Sequence, residues 1–519
     1  MRGRLGRAAT ALPAWIRWRG PGAAARSLRV LWQSATLLAF IALLALTLEP
    51  FVAGVPLTVW LRLDPLVALS TALATGTLYA DLALALCVVL LTLVLGRVFC
   101  SWLCPLGALN TLVGRMFRAR RSAPAEQARN AWRPAYRSKY LVLAGLLLAA
   151  ALGVNAAGLL DPIALLWRSL AVGFAPGATV WFPSGAYPMG WLLGLLLLAV
   201  LIANVAHPRW FCRALCPLGA LLGLLARFSL LRIHRDPERC NGCNLCQAVC
   251  AGAAEPQETL LASECVLCLN CTAICPHQAI TVRWLPPSEG SRALVDVGRR
   301  SALLSLGAGA AAVLAVRSDP RSSRQGAAAK HAVPSLIRPP GALAEPAFVA
   351  ACVKCGACVK ACPTRVLAPT WLEAGLDGLW TPKADFSLGH CDPDCDVCGR
   401  VCPTGAIARF TLADRRGSSD GPLRMGTAFH DRGSCLPWAA ATPCSKCEEH
   451  CPTSPKAIWL ELASAPRRDA PPLDLLVPHV DVARCIGCGT CEWVCPVAAP
   501  AVRVVAAGET RSPERRLVL

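Results

Sequence analysis

The sequence predicts two architectures in one chain: an α-helical membrane bundle of four spans with a fifth apolar anchor, and small α+β domains organised around cysteines. Three observations predict it. Apolar residues make up 55% of the 519 and mean hydropathy is positive, which is high for a soluble protein. Four apolar stretches approach the ~20 residues needed to cross a bilayer. All 29 cysteines except Cys87, which is expected to be a small core residue, fall into repeated short spacings.

The apolar stretches run about 29–50, 81–98, 140–160 and 187–206. Arginines gather ahead of the first, between the second and third, and after the fourth, whereas the other two loops offer little beyond Arg62 and Arg168. Positive charge marks the cytoplasmic side, so four spans with both ends cytoplasmic follow. The same placement explains the net charge of +20 without nucleic acid, for which no basic module with interleaved aromatics is present.

Two segments repeat each other at the ends of the second and fourth stretches: FCSWLCPLGAL, with Cys100 and Cys104, and FCRALCPLGAL, with Cys212 and Cys216. Residues i and i+4 share a helix face, so each segment presents a thiol pair, and Pro105 or Pro217 suits a helix start or kink. If the two halves pack as a pair, four sulfurs converge as a redox or metal site. Kinked helix ends with cysteines as packing residues are the plainer alternative. His207, at the exit of the fourth stretch, is a candidate proton acceptor for a quinol or an interfacial cap.

The other cysteines form sets. Cys240, Cys243, Cys246 and Cys250 are spaced x2, x2, x3, and Cys265, Cys268, Cys271 and Cys275 repeat that spacing. This is the bacterial ferredoxin pattern, in which three close thiolates hold one 4Fe-4S cluster and the fourth reaches its neighbour. Cys275 is therefore assigned to the first cluster and Cys250 to the second. Zinc ribbons also use Cys-x2-Cys pairs, but the third close cysteine and the closing Cys-Pro argue for iron; Ala251 departs from that closing proline. Four further sets follow: Cys352, Cys355, Cys358 and Cys362; Cys391, Cys395, Cys398 and Cys402; Cys435, Cys444, Cys447 and Cys451; Cys485, Cys488, Cys491 and Cys495. The middle two open with longer gaps. Pairing like spacings makes the outer sets exchange fourth cysteines and the inner sets do the same; sequential exchange is the alternative. Six 4Fe-4S clusters are the expected cofactors. No Cys-x-x-Cys-His haem site and no phosphate-cradling glycine loop is found, and the eight histidines form no cluster.

The expected domains are a basic cytoplasmic N-terminus (1–28), the membrane domain (29–235), a two-cluster ferredoxin domain (236–285), a linker (286–345) and a four-cluster ferredoxin domain (346–519). Within the linker, Arg299 and Arg300 precede an apolar run over 301–316, a pattern similar to a twin-arginine export signal, with Ala302 where a Phe is usual.

Taken together, the chain resembles a fusion of the two iron–sulfur accessory proteins of periplasmic nitrate reduction, NapH and NapG, or their methylamine-utilisation relatives MauN and MauM. The four spans, the two FCxxLCPLGAL segments and the pair of sets at 240–275 resemble the NapH part. The arginine pair, IRPPGALAEPAFVAACVKCGACVKACP and the last four sets resemble the NapG part. The four spans, the arginine placement and the arginine pair make a multi-pass protein of the bacterial inner membrane the expectation, with the first ferredoxin domain cytoplasmic and the last periplasmic; the resemblance implies quinol oxidation in that membrane. It further implies quinol as substrate, the membrane quinone pool as donor and a periplasmic reductase or electron carrier as acceptor. A maturation factor for a metalloenzyme or a redox sensor would use the same residues. Six sites, each able to pass one electron, favour a relay.

Overall fold

The computed structural model describes residues 22–47, 58–117, 122–174, 187, 189–258, 260–284, 298–319, 336–417, 421–465 and 473–511. The basic stretch before residue 22 and most of the 286–345 linker lie outside the described residues. Two compact units divide the chain: Met1–Ala45, Val59–Gly173 and Trp191–Ala312 form the first, and Leu46–Thr58, Phe174–Gly190 and Val313–Leu519 the second.

The first unit opens with α1 (Ala23–Ala45), whose inward stripe is Arg29, Gln33, Thr36, Phe40 and Leu44. Its outward face carries Leu31, Leu38 and Ile41, 69%, 66% and 46% exposed. Apolar residues thus face out and polar ones in, the reverse of a water-soluble helix. Two halves with one plan follow. In the first, α2 (Pro65–Thr75), α3 (Ala85–Leu95), a π turn over Phe99–Leu103 and α4 (Pro105–Met116) succeed one another. After α5 (Ala123–Asn130) and α6 (Ser138–Ala151) come α7 (Pro162–Arg168), α8 (Trp191–Ala206), a π turn over Phe211–Leu215 and α9 (Pro217–Ala226).

The plan is set locally by a Leu-Asp-Pro repeat at 63–65 and 160–162. Asp64 Oδ1 accepts from the backbone N–H of Leu66 (2.8 Å) and Val67 (3.2 Å), and Asp161 Oδ1 from Ile163 (2.9 Å) and Ala164 (2.8 Å). A capping carboxylate followed by proline at the first helical position is a strong start signal.

Among the described residues two helices, Ala23–Ala45 and Arg300–Ser318, are long and apolar enough to cross a membrane by length and composition. The helices formed by the other three expected stretches are shorter: α3 has 11 residues, α6 has 14 and α8 has 16. The third stretch does not continue to 160, because Gly153 turns at φ 82° and Val154 N–H returns to Ala149 O (2.8 Å). Cys87 is exposed on α3 rather than buried as expected; it lies in a helix whose Leu86 and Leu90 also face outward.

Strands β1 (Leu231–Arg235) and β2 (Ile280–Trp284) pair antiparallel, Leu231 opposite Trp284, and close the first two cysteine sets into one domain. Helix α10 (Arg299–Ser318) follows. It meets α6 where a Cβ on Gly309 would come 3.0 Å from Gly145 Cα, a close small-residue crossing.

In the second unit, β3 (Leu367–Pro369) pairs with β4 (Pro382–Ala384). Strand β5 (Thr427–His430) pairs with the last strand, β8 (Val502–Val505), and the hairpin of β6 (Ile458–Ala465) and β7 (Leu473–Val480) lies between them in sequence. Buried Arg338 ties the unit's start to β4 through Pro382 O (2.8 Å) and holds Glu345 (2.5 Å), which Arg511 also holds (2.7 Å). Though burial opposes its charge, Arg338 and then Arg511 hold the Glu345 carboxyl down at about 2.

Candidate iron–sulfur centres

Each cysteine set is built the same way. Its third cysteine lies in a single helical turn: Cys246 in Leu245–Ala248, Cys271 in Asn270–Ile274, Cys358 in Ala357–Ala361, Cys398 in Val397–Val401, Cys447 in Lys446–Glu449 and Cys491 in Thr490–Trp493. In the four regular sets the residue before that turn is left-handed: Asn244 (φ 54°), Leu269 (60°), Gly356 (75°) and Gly489 (76°). The two sets with longer opening gaps have Asp396 (φ −125°) and Ser445 (−120°) there instead. Their extra residues reach the same turn by a different backbone path, so the ligand positions survive the insertion.

The exchange of fourth cysteines is visible in what surrounds each site. One cavity is lined by Cys250, Cys265, Cys268 and Cys271, a second by Cys451, Cys485, Cys488 and Cys491, and a third by Cys435, Cys444, Cys447 and Cys495. The thiols acting most strongly on Cys358 are Cys355, Cys352 and Cys402, and those on Cys398 are Cys391, Cys362 and Cys395. Cys246 feels Cys243, Cys250 and Cys240, and Cys275 packs against the same core. In the second unit exchange is therefore sequential, which corrects the like-spacing pairing. The reason is chain geometry: the Ala342–Ile407 bridge brackets the 352–362 and 391–402 sets, with the β3–β4 pair between them, and β5–β8 brackets the 435–451 and 485–495 sets. Adjacent sets thus become the two halves of one small domain.

The donor sets fit four-iron clusters. Burial pushes the Cys246, Cys265 and Cys447 thiols up to about 12, so thiolates there need a cation to exist at neutral pH. Backbone N–H groups point at the sulfurs: Ala254 to Cys250 (3.2 Å), Ala279 to Cys275 (3.3 Å), Ile407 to Cys402, Ala428 to Cys485 and Ala501 to Cys495 (3.4 Å each). Arg415 Nη2 donates to Cys391 Sγ at 3.4 Å. Such bonds are a principal control of cluster potential.

In the second unit Cys391 N–H bonds Cys488 O at 2.8 Å. The loops of the {391, 395, 398, 362} and {485, 488, 491, 451} sites are thereby joined.

In the first unit the {250, 265, 268, 271} site is bonded to both π turns. Ser101 Oγ donates to Val266 O (2.5 Å) and Trp102 Nε1 to Leu267 O (3.2 Å), while Arg213 Nη2 donates to Cys250 O (2.9 Å) and Ala251 O (3.0 Å). Arg213 thus fixes the turn at Ala251 that lacks the customary proline. Beneath it, buried Glu264 takes Lys139 Nζ, Tyr140 Oη (2.8 Å) and Arg97 (3.5 Å), and Arg97 also donates to Ser263 O (2.6 Å). This anchoring was not foreseen from sequence; its signal was Arg97, three residues before Cys100, and Arg213, next to Cys212, while Arg209 repeats the place of Arg97 and extends the repeat to RxFCxxLCPLGAL.

The structure brings together both thiol pairs of the repeated segments. Asn110, on α4 of the first half, donates to Cys212 Sγ of the second at 3.6 Å. Cys104 feels Cys100 and Cys212, and Cys216 feels Cys212, Cys100 and Cys104. His207 is half-buried where α8 ends, its N–H on Ala203 O (2.9 Å), beside the Arg129 guanidinium that bonds Ala206 O (2.8 Å).

A model of a 4Fe-4S binding domain matches residues 77–124 and again 187–236, a 4Fe-4S dicluster domain matches 351–406, and a further 4Fe-4S binding domain matches 478–501. A methylamine utilization ferredoxin-type protein, MauM, of Methylorubrum extorquens is 35% identical over 241 residues, which is 45% of this chain and 99% of that protein. The chain belongs to the MauM/NapG family of ferredoxin-type proteins. MauM of Methylophilus methylotrophus is 36% identical over 33% of this chain and 71% of its own length, and NapG of Escherichia coli 38% identical over 33% and 70%. This member is thus more than twice as long as the part it shares with those two relatives. No solved structure matches. An iron–sulfur electron-transfer protein is what this family membership and the donor sets establish.

Proposed function

We propose that the chain is a multi-pass inner-membrane protein that oxidises quinol and carries the electrons through six 4Fe-4S clusters to a periplasmic reductase or electron carrier. One observation carries the reading: the π turns that end the apolar helices are hydrogen-bonded to the loops of the {250, 265, 268, 271} site. An electron released among those helices therefore has a cluster site one side chain away. Outward Leu90 (54% exposed), Ile202 (61%) and Leu304 (75%) support a lipid environment.

Quinol oxidation yields two electrons and two protons. When bound, a 4Fe-4S cluster takes up and gives one electron at a time, so the two leave singly. The proton acceptor we assign is His207, at the same helix ends as the π turns. At the other helix ends Asp64 and Asp161 are fully buried side-chain neighbours, and each Oδ2 lacks a donor, an arrangement that one shared proton satisfies. Arg299 and Arg300 start α10 and are the export signal that delivers the folded second unit to the periplasm.

Anaerobic mixing of the oxidised, iron-replete protein with excess quinol tests the function. Bleaching of the cluster absorbance, with one-electron EPR signals, is expected. Clusters that stay oxidised while dithionite still reduces them would refute it.

A further inference from the structure

We infer that Cys100, Cys104, Cys212 and Cys216 together hold an additional four-iron cluster, shared between the two halves of the helical unit. Neither half can do so alone. The two segments that match a 4Fe-4S binding domain, 77–124 and 187–236, each contribute one pair of motif thiols, and the first adds only outward-facing Cys87. Pooling the pairs supplies the four ligands that a cubane needs.

Backbone geometry prepares the sulfurs. Cys104 N–H bonds Phe99 O (2.8 Å) and Cys216 N–H bonds Phe211 O (2.9 Å), so both π turns end on the second cysteine. That cysteine then caps the next helix: Cys104 Sγ accepts from Gly107 N–H (3.4 Å) and Cys216 Sγ from Gly219 N–H (3.2 Å). A Cβ on Gly107 would fall 2.5 Å from Cys100 O, which is why the segment reads Cys-Pro-Leu-Gly. With the Asn110 amide on Cys212, three of the four sulfurs already receive N–H donors, as the cluster sulfurs elsewhere in the chain do.

Charge supplies an independent argument. Arg97 and Arg209 are 2% and 6% exposed, and each reaches across to the opposite half. Arg209 Nη2 bonds Gly107 O (3.2 Å) and Thr111 Oγ1 (2.8 Å), and the place a Gly219 Cβ would occupy is 3.0 Å from Arg97 Nη2. Arg97 acts on Cys100 and Cys216, Arg209 on Cys212 and Cys104. Arg97 shares Glu264 with Lys139, two cations on one anion, and Arg209 has no carboxylate partner among the described residues. A buried guanidinium without an anion is costly. A cluster with four thiolate ligands carries net negative charge, and its place here lies between these two cations.

The inference deepens the electron-carrier reading, since the site sits on the same π turns that grip the {250, 265, 268, 271} loops. Its test does not depend on quinol. Protein purified anaerobically with every site loaded should contain ~28 iron and ~28 sulfide per chain, against ~24 if only the six ferredoxin sets are filled. The double variant Cys104→Ala/Cys216→Ala should fall to ~24 with the ferredoxin EPR signals kept, and Cys87→Ala should stay at ~28. Wild-type protein at ~24 iron whose four motif thiols alkylate freely, or form disulfides, would overturn the assignment even if the double variant fails to fold. Stoichiometric zinc would overturn it too.

Discussion

The first two cysteine sets and the last four use the same loop chemistry in opposite settings. In the first unit the cluster domain is held by buried side chains of the helices beside it: Glu264 meets Lys139, Tyr140 and Arg97, and Arg213 reaches Cys250 O. In the second unit the sites are held by their own short strands and by one ion cluster, Arg338–Glu345–Arg511. The difference teaches what each set is for. On the proposed function, a site bonded into an apolar helical unit would receive electrons there, whereas sites framed by their own strands would form a portable relay.

The largest effect should come from breaking the first setting. Glu264→Gln leaves Lys139 and Arg97 buried with no anion, at a cost of about 3–5 kcal/mol. Iron should be lost from the first unit's sites, while the EPR signals of the second unit persist. Uniform loss from both units would erase the contrast.

The matching change in the second unit is Glu345→Gln. Glu345 is lowered from an ordinary 4.5 to about 2. A lowered carboxyl stabilises the fold above its unfolded value and loses that contribution as pH falls from about 4.5 towards 2. The shift corresponds to about 3 kcal/mol. Denaturant unfolding at pH 7 should show that loss in the variant, and the wild-type decline on acidification should flatten in it.

Cysteine exchange sharpens the comparison at single sites. Cys402→Ala should convert the {352, 355, 358} site to a three-iron EPR signal, and Cys495→Ala should do so at {435, 444, 447}. If Cys402→Ala instead disturbs the 435–451 set, like spacings pair after all. The smallest effect is expected for Arg415→Gln, which removes the donor to Cys391 Sγ. The potential of the {391, 395, 398, 362} site should fall with iron content unchanged, read by EPR redox titration.

Much of this was legible in the sequence because cluster ligands are local. Three of the four cysteines in each set sit within one short loop, so their spacing alone identifies them. Apolar runs and arginine placement likewise signal helices. What the sequence did not disclose is non-local. In the second unit the partner of each fourth cysteine depends on which backbone pairings bracket which sets, and spacing similarity pointed the wrong way. Helix lengths were overread, since an apolar run such as 140–160 does not reveal that Gly153 turns it. The Leu-Asp-Pro repeat and the arginines at 97 and 209 were present as text. Their meaning emerged only when Asp64 was found beside Asp161 and each arginine across from its own half.

On the proposed function the two cluster regions form one relay with its ends on opposite sides of the membrane. The most direct measurement is the location of a reporter fused after Leu519, in normal cells and in cells where Arg299 and Arg300 are both replaced by Lys. A periplasmic reading is expected in the first case and a cytoplasmic one in the second. A cytoplasmic reading in both would put every cluster in one compartment and contradict that relay.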